Sequence, residues 1–544
     1  MVKNRSVFLL SRQSCPSSLS CLFLLLTAAA SFAQPPHDSH SMPPLSRELV
    51  ERPLPLRSGI GTAHDGASTK SSQAQAFYDQ GLAYLHSYVW IEAARSFHQA
   101  LRLDATLAMA DVGLSYAYVE LRAPAEGRTA LDRARTRAST ATEHDRRHID
   151  VRAAQMAAED APADAVKLAA YRKSVDEALA KFPSDEELLL QRGLAESRDP
   201  AERGQGSAAG SVPFFERALA LAPQHVAAHH YLAHAFENTG RVAEALAQGE
   251  AYAKLAPQVP HARHMLGHEL RRAGRIDEAI VEFEAADRIE LEYVRQERVP
   301  VELDWHYHHN LDLLATSYQY AGRVARAEEL LKKSFAIASG DLEQEVSRRQ
   351  WPVFLLARGR ADEALAAAGE MAAHASPLVS AAGHIAAGEA KLALKQPQAA
   401  ADEANAALRL MRSSREGAGL LANALRQLQG ELFLRTGQRD QGHAALRQVA
   451  ADVRAAPGPD AWAQGLFTLD AIARTARDAG DWEFAAWAAK QMIDHDANYA
   501  GAHYALALVA QHAGDAAAAR AAFDRARKLW AHADPVLPEL RAMN

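Results

Sequence analysis

A spacing of about 34 residues between equivalent positions is the feature that most constrains the fold of this chain. Ala245 and Ala279 form one such pair, and Ala485 and Ala519 form another. Each alanine lies in a segment whose apolar residues recur at helical spacing, and a unit of this length suits two helices joined by a turn. The sequence therefore predicts a stack of helical hairpins, in which each hairpin buries its apolar face against the next.

The first unit shows the pattern of small and large residues most clearly. It reads FYDQGLAYLHSYVWIEAARSFHQALRLDA, with two helical segments on either side of a break at 87–90. Its characteristic positions are Phe77, Gly81, Tyr84, Ala93, Phe97 and Ala100. This pattern resembles the tetratricopeptide (TPR) repeat family. The resemblance implies an all-α solenoid of TPR-like helical hairpins, in which the first helix of each hairpin lines a concave groove where partners bind.

The N-terminus indicates export. Basic residues precede an apolar run that ends in the small residues Ser31 and Ala33, as a signal-peptidase site requires. We expect a signal peptide at 1–33 and a periplasmic or secreted protein, with a signal anchor as the alternative. The stretch STKSSQAQAFYDQGLAYL also resembles exported bacterial TPR-repeat proteins.

Both cysteines, Cys15 and Cys21, lie in the leader, so the mature chain has no thiolate for catalysis or metal binding.

The composition of the residues after the leader limits the partners and defines the regions of the chain. Removing the leader takes the formal charge from −7 to −10, which argues against a nucleic-acid partner. After the leader, no segment is apolar enough to be an integral membrane span. The predicted regions are a disordered or extended Pro/Ser/Gly-rich arm at 34–72, N-terminal hairpins at 73–196, a linker at 197–213, central histidine-rich hairpins at 214–338 and C-terminal hairpins at 339–544.

Histidines of the central hairpins recur at the repeat length. His230 and His264 are one repeat apart, and so are His234 and His268. With His264 at zero on a helical wheel, His261 lies at about 60° and His268 at about 40°, while the neighbouring leucines lie at about 200–240°. The imidazoles therefore share one face of each helix, opposite the apolar face.

Equivalent helices of stacked repeats lie side by side, so these faces should form one wall. Glu237 shares the face of His230, and alignment of the next hairpin brings His309 and Asp312 to the same wall. The candidate metal ligands are His230, His234, His264 and His268, with His261, His309, Glu237 and Asp312 as further ligands or outer partners. We assign His306 and His308 to a surface connection, with a cap on this wall as the alternative, and His144 and His148 share a helix face without a partner in phase.

Neutral imidazoles favour zinc or copper, whereas carboxylate ligands would favour iron or manganese. An open coordination position would activate water, with Glu237 or Asp312 as general base. Two hypotheses follow. The first is an exported TPR scaffold whose groove binds a peptide or protein partner. The second is a metal-binding protein or metal-dependent enzyme that uses the same scaffold, and the sequence identifies no substrate for it.

Overall fold

The computed structural model describes residues 42–414, 417–456 and 459–543. Most consecutive helices pair as hairpins, and successive hairpins pack on each other. The predicted all-α solenoid of TPR-like hairpins is therefore confirmed. The predicted signal peptide at 1–33 and the first residues of the predicted arm, 34–41, lie outside the described residues.

The helices fall into three groups along the chain. The N-terminal helices are α1 (Arg47–Glu51), α2 (Ser72–His86), α3 (Trp90–Leu103), α4 (Ala108–Glu120), α5 (Pro124–Arg137), α6 (Glu143–Glu159), α7 (Ala165–Lys181), α8 (Glu186–Leu194) and α9 (Val212–Leu221). The central helices are α10 (Val226–Asn238), α11 (Val242–Leu255), α12 (Pro260–Arg272), α13 (Ile276–Glu297), α14 (Trp305–Tyr320) and α15 (Val324–Ala336), with a 3-10 turn at Val301–Leu303.

The C-terminal helices are α16 (Leu342–Ser347), α17 (Gln350–Ala357), α18 (Ala361–Ala372), α19 (Pro377–Ala393), α20 (Pro397–Ser413), α21 (Ala418–Arg435), α22 (Arg439–Ala455), α23 (Pro459–Asp478), α24 (Trp482–His495), α25 (Ala500–His512), α26 (Ala516–Leu529) and α27 (Pro538–Ala542). One hydrophobic core continues from Leu270 to Leu428, across the expected boundary at residue 338. No helix among the described residues is both long enough and apolar enough to span a bilayer.

Small residues allow the paired helices to approach each other closely. A Cβ atom at Gly81 would lie 2.4 Å from the Phe97 ring, and one at Gly267 would lie 2.8 Å from the Phe283 ring. The aromatic side chain of the second helix therefore fills the space that glycine leaves open on the first. This contact explains why small and large residues alternate at the repeat length.

Of the two alternatives for the arm at 34–72, disordered or extended, disorder is wrong for residues 42–71. This segment, which we call the arm, contains α1 and then continues over the helices without forming another helix. Backbone hydrogen bonds fix it, from Val226 N to Thr62 O (3.3 Å) and from Gln258 N to Gly59 O (2.8 Å). Its prolines prevent a long helix, but five apolar side chains are buried: Leu49, Val50, Leu54, Ile60 and Ala63.

Hairpins distant in sequence also contact each other. The turn between α2 and α3 packs on α10, where His230 Nδ1 donates to the backbone carbonyl of His86 at 2.8 Å. At the other end, Tyr320 of α14 donates its hydroxyl hydrogen to Asp496 (2.8 Å). The central hairpins are therefore covered by both the N-terminal and the C-terminal hairpins.

We predict that Gly61→Ala destabilises the protein by about 2–4 kcal/mol. Gly61 has a positive φ of 82°, and an added Cβ would lie 2.0 Å from the Val226 side chain. Gly240→Ala is the matched control, since its φ is 75° but its Cβ would contact nothing within 4 Å. Denaturant unfolding measures both variants, and an equal loss in the two would contradict the packing of the arm on α10.

Candidate metal centre

Seven imidazole rings from α10, α12 and α14 meet in the middle of the protein. We call them the histidine cluster, which consists of His230, His234, His261, His264, His268, His306 and His309. All are buried except the half-buried His309. Their ring nitrogens form three sets, each within 4.8 Å: His230/His234/His261, His261/His264/His306 and His264/His268/His309. The six histidines predicted to share a wall therefore do come together.

Two pairs of rings are in direct contact. His230 Nε2 lies 2.8 Å from His261 Nε2, and His264 Nε2 lies 2.7 Å from His268 Nε2. Two nitrogens bound to one tetrahedral ion at 2.0–2.1 Å are about 3.3 Å apart. The observed distances fit a shared proton in each pair, so a bound ion requires the rings to separate by about half an ångström.

Outer contacts fix the tautomers of two rings. His230 Nδ1 must carry its proton, because it donates to the carbonyl oxygen of His86. The Asn310 amide nitrogen donates to the carbonyl of Phe283 (3.1 Å), so its oxygen faces His264 Nδ1 at 2.9 Å and accepts a proton from it. Both rings therefore point the lone pair of Nε2 into the cluster, which is how metal-binding histidines are oriented.

Other nitrogens of the cluster lack a hydrogen-bond partner among the described residues. They are His234 Nε2, His261 Nδ1 and His306 Nε2. Burial, with smaller contributions from the neighbouring histidines, lowers the pKa of His230, His261 and His264 well below the usual value. Burial also lowers the pKa of His234 to about 3 and that of His306 to about 4. The rings are thus neutral at pH 7, the form in which imidazole binds a metal.

Histidines that contact each other across neighbouring helices are not one repeat apart in sequence. Each ring contacts a histidine about one helical turn before its equivalent in the next repeat. His230 contacts His261 rather than His264, and His261 and His264 contact His306 and His309 at ring distances of 4.9 and 4.8 Å. Successive first helices are staggered, which counting along single helices does not reveal.

This stagger explains two corrections. Asp312, expected on the wall, instead accepts hydrogen bonds from Ser334 (2.6 Å) and Ser347 (3.1 Å) and belongs to none of the three sets. His306, assigned to a surface connection, is buried within the cluster. The signal was present, since His306 and His309 have the same three-residue spacing as His261 and His264. His308 is also buried rather than on the surface, but outside the cluster.

Buried carboxyl groups lie beside the rings. Glu237 Oε2 lies 3.6 Å from His268 Nδ1, and burial raises the pKa of Glu237. Burial also raises the pKa of Glu269 and Glu290 well above the usual value. Glu290 is 2.8 Å from His306 Nδ1. The sequence predicts only Glu237 among these groups. Glu290 lies on α13, the second helix of its hairpin, whereas the predicted wall consists of first helices.

Aromatic side chains close the centre from solvent. The Tyr88 ring lies 4.8 Å from that of His230 and 4.6 Å from that of His261, and Trp305 stacks on His309 at 4.9 Å. Tyr88 has a φ of 60°, an uncommon conformation for a bulky residue, which its surroundings hold in place. The wall that we expected to line an open groove is therefore covered by the turn between α2 and α3.

A cavity of about 800 Å³ reaches the edge of the cluster at His261 and His306. Its other lining groups include the aromatic residues Tyr88, Trp90 and Trp305. Asp304 also lines it, and burial raises the pKa of this carboxyl group to about 8. A volume of this size suits a small molecule or a few side chains of a peptide.

Comparisons with known proteins give distant structural likenesses. No family model matches the chain, and no curated protein matches it. The human IFIT1 dimer with m7Gppp-AAAA is 13% identical, with a TM-score of 0.35 over 85% of this chain and 91% of that chain. Yeast Tom70 is 13% identical, with a TM-score of 0.31 over 87% and 95%. Such TM-scores say nothing about the ligands of this chain.

We predict that the metal-free protein loses stability as pH falls from about 6.5 towards 4. In this range the unfolded chain takes up protons on histidines that stay neutral when buried, so the free energy of unfolding decreases. His234→Phe should reduce the slope by up to about 1.4 kcal/mol per pH unit. Denaturant unfolding between pH 4 and 7.5 measures it.

His229→Phe is the control, because His229 lies on the same helix but outside the cluster and contacts Gln248. It should keep the wild-type slope. A wild-type slope in the His234→Phe variant would show that His234 is not buried in its neutral form.

Proposed function

We propose that this protein is an exported metal-binding protein whose histidine cluster holds zinc or copper. The convergence of seven imidazoles, three of which have a buried nitrogen without a hydrogen-bond partner among the described residues, is the observation that carries the proposal. Leaving a polar atom buried and unpaired costs about 1–3 kcal/mol. A bound ion would use these lone pairs and recover that free energy.

The contacts favour two ions in each chain. His264 has only Nε2 available, since Nδ1 is bonded to Asn310, and Nε2 lies against His268. His261 directs its Nε2 to His230. The ligand sets His230/His234/His261 and His264/His268/His309 therefore share no residue. Three protein ligands leave one position on each ion for water or a bound molecule.

The charge of the surroundings suits bound cations. Glu237, Glu269 and Glu290 are carboxyl groups whose pKa is raised because burial disfavours their charged form. Divalent ions among the neutral rings would supply a compensating charge and favour the ionised carboxylates. The ligand sets themselves contain only imidazole, which supports zinc or copper over iron or manganese. Glu237 would act as an outer partner of His268, and Asp312 is too engaged elsewhere to act as a general base.

A peptide or protein partner is the second candidate, and the cavity beside His261 and His306 favours it. The histidine wall is covered by the turn between α2 and α3, so a partner would bind at the cavity rather than along the wall. The aromatic rings of Tyr88, Trp90 and Trp305 provide apolar surface, and Glu290 and Asp304 provide polar contacts. This cavity admits a chain end or a small molecule, not a folded domain.

We predict that the histidine cluster of chelator-stripped protein takes up about two zinc or copper ions per chain. His230→Ala/His234→Ala and His264→Ala/His268→Ala should each lose about one of them. Metal at about 100 times its dissociation constant should stabilise the wild-type chain by about 2.7 kcal/mol for each ion bound. Elemental analysis, titration calorimetry and thermal unfolding measure these changes.

His229→Ala, on the same helix as His230 and outside the cluster, should keep both ions. Far-ultraviolet circular dichroism establishes that each variant remains helical. Wild-type protein that takes up no metal, or folded double variants that keep both ions, would refute the metal centre.

Export is the remaining part of the proposal, supported by the basic and apolar composition of residues 1–33. Expression in a Gram-negative host should yield protein in the periplasmic or secreted fraction whose N-terminus begins at Gln34. Replacing three leucines of the apolar run with arginine should retain the full-length chain in the cytoplasm. Full-length wild-type protein found only in the cytoplasm would overturn this part.

A further inference from the structure

A second group of metal-binding side chains lies near the N-terminal end of the solenoid. His144 and His148 are one turn apart on α6, and the sequence shows no partner for them at the repeat length. In the structure, Asp65 of the arm and Asp185, the N-cap of α8, complete a group whose four ligand atoms all lie within 4.8 Å of one another. We call it the His–Asp site.

The two rings converge on the same carboxylate. His144 Nε2 lies 2.8 Å and His148 Nε2 2.9 Å from Asp185 Oδ2. His144 Nε2 is also 3.2 Å from Asp65 Oδ1. Each of the four side chains thus directs one nitrogen or oxygen to a common point.

The atoms on the outer side have partners of their own. Asp65 Oδ2 accepts the hydroxyl hydrogen of Tyr78 (3.0 Å), and Asp185 Oδ1 accepts the backbone N–H of Leu188 (2.9 Å). His144 Nδ1 lies 3.4 Å from Asp145. Such contacts hold metal ligands in a fixed orientation before the ion binds.

We propose that the His–Asp site binds a divalent transition-metal ion of the zinc type, independently of the histidine cluster. Two imidazole nitrogens and two carboxylate oxygens are a suitable tetrahedral ligand set for zinc. Asp145 beside His144 brings the carboxylates around the two rings to three, and a divalent ion would offset two of their three negative charges. Without an ion, hydrogen bonds to Asp145, Asp185 and Asp65 raise the pKa of His144 to about 12, so zinc would bind in exchange for protons of the rings.

An ion at this site would tie the arm to α6 and α8. Asp65 lies three residues after Thr62, which pairs with α10, and six after Gly59, which pairs with the start of α12. The segment between Gly59 and Asp65 includes Ile60, which lines the cavity beside the histidine cluster. Metal binding would therefore fasten the part of the arm that forms one side of that cavity.

Zinc titration of chelator-stripped protein tests the proposal. His144→Ala/His148→Ala should bind one zinc equivalent fewer than the wild-type chain, whereas His264→Ala/His268→Ala should retain this equivalent. Asp185→Asn, which keeps an oxygen for capping α8, should weaken this binding at least tenfold. Zinc should also slow tryptic cleavage at Arg57 of the arm in the wild-type chain and not in His144→Ala/His148→Ala.

Asp164→Asn is the matched control, since Asp164 caps α7 in the same way without histidine neighbours. It should bind zinc as the wild-type chain does. If the wild-type chain and folded His144→Ala/His148→Ala bind the same number of ions with equal affinity, the His–Asp site is an ion-pair cluster and the proposal fails. Because the two sets of variants are separate, this result leaves the histidine cluster untouched.

Discussion

Removal of water from the imidazole rings is the constraint on which the central part of the structure depends. Each ring nitrogen that leaves water needs a new partner, because the protein interior offers few alternatives. The carbonyl of His86 and the amide of Asn310 satisfy two of them, and these contacts set which nitrogen faces inward. The turn of the first hairpin and the aromatic rings around it are therefore part of the centre, although they lie far from it in sequence.

The same desolvation couples rings to carboxyl groups. Neutral histidines and protonated acids are each the uncharged form of their group, and low dielectric favours both for the same reason. A centre built in this way has a low charge when empty, and cations bound by the proposed ligand sets would favour ionisation of the surrounding acids.

Helical periodicity was sufficient to predict the fold class and to place six histidines on one wall, because both depend on spacing within single helices. It was insufficient for the stagger between helices, so it included Asp312 and left out His306. Contacts between residues far apart in sequence were even harder to predict from helical periodicity. Asp65 reaches His144 only because the arm is ordered, and the arm is ordered because five scattered apolar side chains find surface on folded hairpins. Composition alone classifies such a segment by its prolines and serines.

The contacts of both ends with the middle alter how a solenoid of this kind unfolds. In an open array each repeat touches only its neighbours, so terminal repeats can melt while the rest persists. Here loss of the first hairpin would expose His230 and its neighbours to water, and loss of the C-terminal hairpins would release Tyr320 from Asp496. Fraying at either terminus thus carries a penalty at the centre, which makes the chain behave as one cooperative unit rather than as a row of separable modules.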